Sequence, residues 1–205
     1  MNYKLFPVLL FGLFSFTTPS NNTTDPKIIA STSKVSFESK VVSLYNNLNA
    51  NNFKLPQLES FTKALEGFYQ LKQKGLVQND ILTLIDFSLS ANSKRMWVID
   101  MTTNTVLYNT LVAHGRNSGE EFATQFSNKS ESYQSSLGFY LTGETYQGKH
   151  GLSLRLDGLE RGINDKARDR AVVIHGADYV SEQFIKQNKR LGRSQGCPAL
   201  PMELN

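Results

Sequence analysis

Met96-Trp97-Val98-Ile99-Asp100-Met101-Thr102-Thr103-Asn104-Thr105-Val106-Leu107-Tyr108-Asn109-Thr110-Leu111-Val112-Ala113 sets the character of this chain. Met96 to Asp100 and Val106 to Ala113 are rich in β-branched, aromatic and other apolar residues, and Thr102-Thr103-Asn104 between them is turn chemistry. The segment therefore predicts a β-hairpin. Similar short runs lie on both sides: Ile81 to Phe87 before the hairpin, then Leu137 to Leu141, Leu152 to Leu156 and Ala171 to Ile174 after it. Asp165 reads as the cap of a short turn or helix, and Val180 to Lys189 as a helix leading into a polar loop. The expectation is a mainly β domain with a few short helices over residues 80–205.

Upstream the period changes. Val41, Leu44, Tyr45 and Leu48 recur at helical spacing, and Pro56 opens a second helix with Leu58, Phe61, Leu65, Phe68 and Leu71 on one face, ended by Gly75. Residues 36–79 thus read as a helical segment that packs or positions and carries no chemical motif. Residues 21–35 are rich in Asn, Thr and Ser and read as a flexible linker. Residues 1–20 have the parts of a secretory signal, with Lys4 as the positive end and Leu5 to Phe16 as the apolar stretch. Export to the periplasm or cell envelope follows, with an uncleaved signal anchor as the rival.

With 205 residues and 40% hydrophobic content the chain can bury a real core. Its net charge of +4 is spread along the sequence, with no Lys/Arg block of the kind a nucleic-acid arm uses. No Gly-rich phosphate loop precedes a helix, so no nucleotide is expected. One cysteine and three dispersed histidines give no short-spaced ligand pair, so neither metal nor cofactor is expected.

That cysteine, Cys197, sits in Gly192-Arg193-Ser194-Gln195-Gly196-Cys197-Pro198. A lone cysteine is an inert thiol, an intermolecular bridge or a nucleophile, and a polar Gly-containing loop in an exported protein favours the nucleophile. It needs a base or a positive field to ionise near neutral pH. His175 ends the apolar run Ala171 to Ile174 and precedes Gly176, so it would emerge at a strand end, held yet accessible. His114-Gly115 follows a strand in the same way and could shape the pocket, whereas His150 has loop neighbours and reads as a surface or cleft residue. Gly196 allows close backbone approach, so the amides of Gly196 and Cys197 could face an oxyanion. Ser194 could orient the loop or the base. Arg193 and Arg190 would raise the local potential and attract a carboxylate, and Tyr140 sits in a polar-aromatic segment that could line a cleft.

His175-Gly176 followed by Ser194-Gln195-Gly196-Cys197 resembles the signature of the L,D-transpeptidases with a YkuD-type catalytic domain, in the branch whose motif ends in Gly-Cys-Pro. The resemblance extends over roughly residues 80–205 through Met96 to Asp100 with its hairpin, Val112-Ala113-His114-Gly115, Ser136 to Tyr140 and Leu152 to Leu159. It implies a YkuD-like β-sandwich and an exported enzyme acting on peptidoglycan stem peptides. It makes Cys197 the nucleophile of a thioester mechanism and His175 its base, with the Gly176 carbonyl holding the imidazole. Gln195 stands where many members have His, and Ala199 where many have Asn or Arg, so contacts made at those positions do not carry over. The resemblance also implies a further helix and strand after Asn205, which makes the catalytic domain expected to be truncated at its C-terminus. The other readings are an L,D-carboxypeptidase, another cell-wall cysteine peptidase and an inactive envelope-binding module.

Overall fold

The computed structural model describes residues 37–204; the signal-like residues 1–20 and the linker to residue 35 lie outside them. Residues 37–46 form helix α1, which buries Val41. Helix α2, Leu58–Gln73, buries Phe61, Ala64, Leu65, Gly67 and Phe68, while Leu58 in its first turn stays exposed. Hydrogen bonds tie α1 to the turn of the β-hairpin, α2 to Asp86, and the segment between the two helices to Trp97. Asn104 Nδ2 donates to Leu44 O at 2.9 Å, Ser60 Oγ donates to the Asp86 carboxylate at 2.6 Å, and the Trp97 indole N–H donates to Lys54 O at 2.6 Å.

The strands form two sheets. Strands β1 (Ile81–Ile85), β2 (Met96–Asp100) and β3 (Thr105–Thr110) make an antiparallel sheet in that order, with Leu84 opposite Trp97 and Trp97 opposite Asn109. Strands β4 (Tyr140–Gly148), β5 (Gly151–Gly158), β6 (Val173–Gly176) and β7 (Ala199–Leu200) make the other, antiparallel except for the parallel pair β6–β7. Buried Met96, Val112 and Leu200, with Ile85, Val98 and Ile174 packed against them, join the sheets through one apolar cluster. A second cluster contains Leu111, Ala113, Val180, Leu191 and Ala199. The mainly β architecture with short helices is the one the sequence predicts.

Several boundaries differ, each for a local reason. The strand expected from Leu137 begins at Tyr140, because Gly138 takes φ +107° and the Phe139 N–H donates to Glu160 Oε2 at 2.7 Å. It then continues to Gly148 through residues that read as loop; none of them is buried, so no apolar alternation marks the strand. The run Val106 to Ala113 leaves its sheet after Thr110, and Ala113 instead bridges Ala199. β6 starts at Val173, since Ala171 sits at φ +53°. Residues 161–171 form turns without a helix, and Asp165 Oδ1 accepts backward from Gly162 N–H at 2.7 Å. Helix α3, Glu182–Asn188, is capped by Ser181, whose Oγ accepts the Phe184 N–H at 3.1 Å. Among the described residues no helix is long and apolar enough to cross a membrane.

Candidate active site

The parallel pairing of β6 with β7 sets His175 beside Ala199. Carried two residues toward the N-terminus, that register places Cys197 alongside Val173. The half-buried Cys197 Sγ lies 3.7 Å from the Ala171 carbonyl oxygen. Burial pushes the thiol pKa up from its ordinary 9.0, opposed by the Val173 N–H and by the Arg170 charge, both of which favour the thiolate. The resting group is a neutral thiol with two features already arranged to receive negative charge.

The loop before the thiol is fastened from beneath. Ser194 N–H donates to His114 O at 2.9 Å, and Ser194 O accepts from Arg116 N–H at 2.8 Å. Gly115 has to be glycine for this approach: a Cβ there would stand 2.4 Å from Tyr133 O and 3.0 Å from Gly196 Cα. Gly196 takes φ +126°, and a Cβ on it would meet Gln134 O at 2.9 Å. Ser194 Oγ donates to Cys197 O at 2.6 Å and accepts the Gly196 N–H at 3.0 Å, while Ser135 Oγ donates to Gly196 O at 3.2 Å. Ser194 therefore braces the loop. Gly196 N–H is engaged inside it, and of the two amides expected at an oxyanion the Cys197 N–H is the one left without an internal bond among the described residues.

His175 is 3% exposed. Its Nδ1 lies 2.8 Å from Gly176 O, so Nδ1 carries the proton and donates, and Nε2 keeps its lone pair. Burial lowers the His175 pKa from 6.5; the Gly176 bond raises it and the neighbouring His150 lowers it further. At neutral pH the ring is thus an unprotonated base. His150, on the turn joining β4 to β5, stacks over it with ring centroids 4.5 Å apart and planes 23° from parallel. Its loop-like neighbours gave no hint of that contact, because the hairpin that folds it back was itself not evident.

Other candidates fall elsewhere. His114 is fully buried, with Arg95 Nη2 at 2.7 Å from Nδ1 and Gly119 O at 3.2 Å from Nε2. A guanidinium can only donate, so Nδ1 accepts and Nε2–H donates. Burial, then the Arg95 charge, lowers the pKa to about 4. The ring is neutral near pH 7 and lies under the cysteine loop, its backbone carbonyl accepting the Ser194 N–H. Arg193 donates to Arg116 O, Gly119 O and Glu120, and Arg190 also pairs with Glu120 at 3.1 Å, so both charges are occupied by one carboxylate. Tyr140 is half-buried, its hydroxyl donating to Ser136 O at 3.0 Å, and burial raises its pKa. Gln195 is exposed at the loop tip. The cation that acts on the thiol is Arg170, which sequence reasoning passed over. Its position in Arg168-Asp169-Arg170, just before the strand that delivers His175, was the available signal.

A fixed loop ending in an unpaired thiol, beside a strand ending in a neutral histidine, suits acyl transfer through a cysteine. The family model of the L,D-transpeptidase catalytic domain, YkuD_2, matches residues 54–205, and the chain belongs to that family. The family acts on peptidoglycan as a transferase in cell-wall biogenesis. The match includes α2 as well as both sheets. No curated protein and no solved structure gave a match.

Proposed function

We propose that this chain is an exported peptidoglycan L,D-transpeptidase whose nucleophile is Cys197 and whose general base is His175. The observation that supports the reading is the β6–β7 register, which sets Cys197 alongside Val173, two residues before His175 on the neighbouring strand, together with the Nδ1 bond to Gly176 O that assigns the lone pair to Nε2. Because both groups rest neutral, the thiol gives its proton to Nε2 as it attacks the carbonyl between the third residue and the terminal D-alanine of a stem tetrapeptide. The S–C bond forms and the Cys197 N–H is available to the oxyanion. Collapse breaks the C–N bond, and the protonated Nε2 passes its proton to the departing D-alanine amine. An acceptor amine from a second stem then attacks the thioester, restoring the thiol and leaving a crosslink.

Incubation with disaccharide tetrapeptides, followed by mass spectrometry, tests the reading. D-alanine loss with dimer formation is expected. D-alanine loss without dimers would make the chain an L,D-carboxypeptidase, cleavage at an internal stem bond would make it another cell-wall peptidase, and binding without turnover would leave an envelope-binding module.

A further inference from the structure

Arg170 is a half-buried cation. Its guanidinium donates to Ser127 O at 2.7 Å, Ser136 Oγ at 2.5 Å, Gln134 O at 2.7 Å and Ser132 Oγ at 3.3 Å. Every one of these acceptors is neutral. The nearby arginines differ: Arg168 pairs with Glu144 and Asp157, and Arg190 and Arg193 pair with Glu120. Among the ion pairs of the described residues Arg170 has no carboxylate, although burying a cation without one carries a cost, visible as a pKa pressed below the ordinary value.

The position of that charge is also specific. Arg170 Nη2 is 3.5 Å from where a Cβ on Gly196 would stand, and it is bonded to the same Gln134 carbonyl that Gly196 lies against. The next residue, Ala171, is turned by φ +53°, and its carbonyl oxygen is the one at 3.7 Å from Cys197 Sγ. With four donor contacts made by its two terminal nitrogens, the guanidinium has no open fork with which to clamp a substrate carboxylate. What it offers the site is a charge that cannot move.

We infer that Arg170 is the positioning residue whose fixed positive field makes Cys197 ionisable, with the thiolate as its missing counter-anion. The other titratable groups around the thiol cannot fill this part. His175 on β6 is neutral near pH 7, Tyr179, like Tyr140 beside Arg170, is a phenol whose pKa is raised, and the acidic side chain of Asp178 beside Tyr179 cannot supply a positive charge. The inference rests on the reading of Cys197 as nucleophile for its functional meaning, but it can be measured on the thiol alone.

The test is the pH dependence of Cys197 alkylation by iodoacetamide in the full chain, its Arg170→Gln and Arg170→Lys variants, with circular dichroism to confirm folding. Alkylation of Arg170→Gln at pH 7 is expected to be roughly tenfold slower, its pH profile displaced upward, because an opposite charge nearby favours the thiolate by about one to three pKa units. Arg170→Lys keeps the charge and is expected to stay close to the parent. A folded Arg170→Gln with an unchanged profile overturns the inference, and so does an Arg170→Lys profile displaced as far as that of Gln, which would mean that the hydrogen-bonded fork matters and the charge does not. Should Arg170→Gln fail to fold, Arg170→Met, which also removes the charge, takes its place under the same criteria. Alkylation does not require transpeptidation, so a failure here is separable from a failure of Cys197 as the enzyme's nucleophile.

Discussion

Lowering the pH from 7 to 5 is expected to destabilise the folded chain by about 2 kcal/mol through His114 alone. In the fold its pKa lies at about 4, whereas an unfolded imidazole titrates near its ordinary value of 6.5. The unfolded state therefore binds the proton first. Stability associated with the neutral ring is complete above 6.5, begins to fall below it and continues to fall until the pH passes the folded value of about 4. Between pH 7 and 5 the linkage relation gives a loss of about 2 kcal/mol, and about 3 kcal/mol once both states are protonated. Burial of the ring is the larger cause, and Arg95, pinned by Val112 O and Leu89 O, adds to it by aiming Nη2 at the His114 nitrogen that would have to accept the proton. Urea unfolding of the parent and of His114→Gln at both pH values isolates this contribution from the carboxylates, which titrate alike in the two proteins. The glutamine amide can accept from Arg95 and donate to Gly119, so the variant should fold with a flatter pH dependence. Equal losses in the two proteins would refute the reasoning, and a variant of unchanged stability but raised KM would return His114 to the substrate site.

Replacing His150 with Ala removes a ring that covers His175 and disfavours its protonated form. The His175 pKa should rise, so the acidic limb of the kcat/KM profile should move to higher pH, and an unmoved limb would contradict the contact. Gly67→Ala on α2 gains about 1 kcal/mol of helix propensity but puts a methyl where the Phe139 ring stands, 2.0 Å from its nearest carbon. Overpacking of that kind costs about 1–3 kcal/mol, so thermal unfolding should show a net loss of stability, and a more stable variant would mean that Phe139 does not pack there.

The strand pattern around Met96 to Ala113 was legible because β2 and β3 alternate branched and aromatic residues across a polar turn, and the fold followed from it. β4 was displaced because a strand with no buried residue leaves no periodic trace, and β7 was not foreseen because two residues carry no period at all. Cys197 and His175 stood out because each ends a distinctive local sequence. The partners that set their chemistry did not. Arg170 is brought against the cysteine loop at Gly196 through a turn held by long-range bonds to residues 127–136, and His150 reaches His175 only when the β4–β5 hairpin closes. Arg193, close to the cysteine in sequence, is drawn away by Glu120, a carboxylate 73 residues earlier.

The central proposal is that Cys197 forms the acyl-enzyme with His175 as base. Reaction with a disaccharide tetrapeptide, rapid acid quench and peptide mapping by mass spectrometry reads it directly. The account predicts a stem-tripeptide adduct on the peptide containing Cys197, absent in Cys197→Ala and strongly diminished in His175→Ala. An adduct on another residue, or undiminished crosslinking by Cys197→Ala, would contradict it.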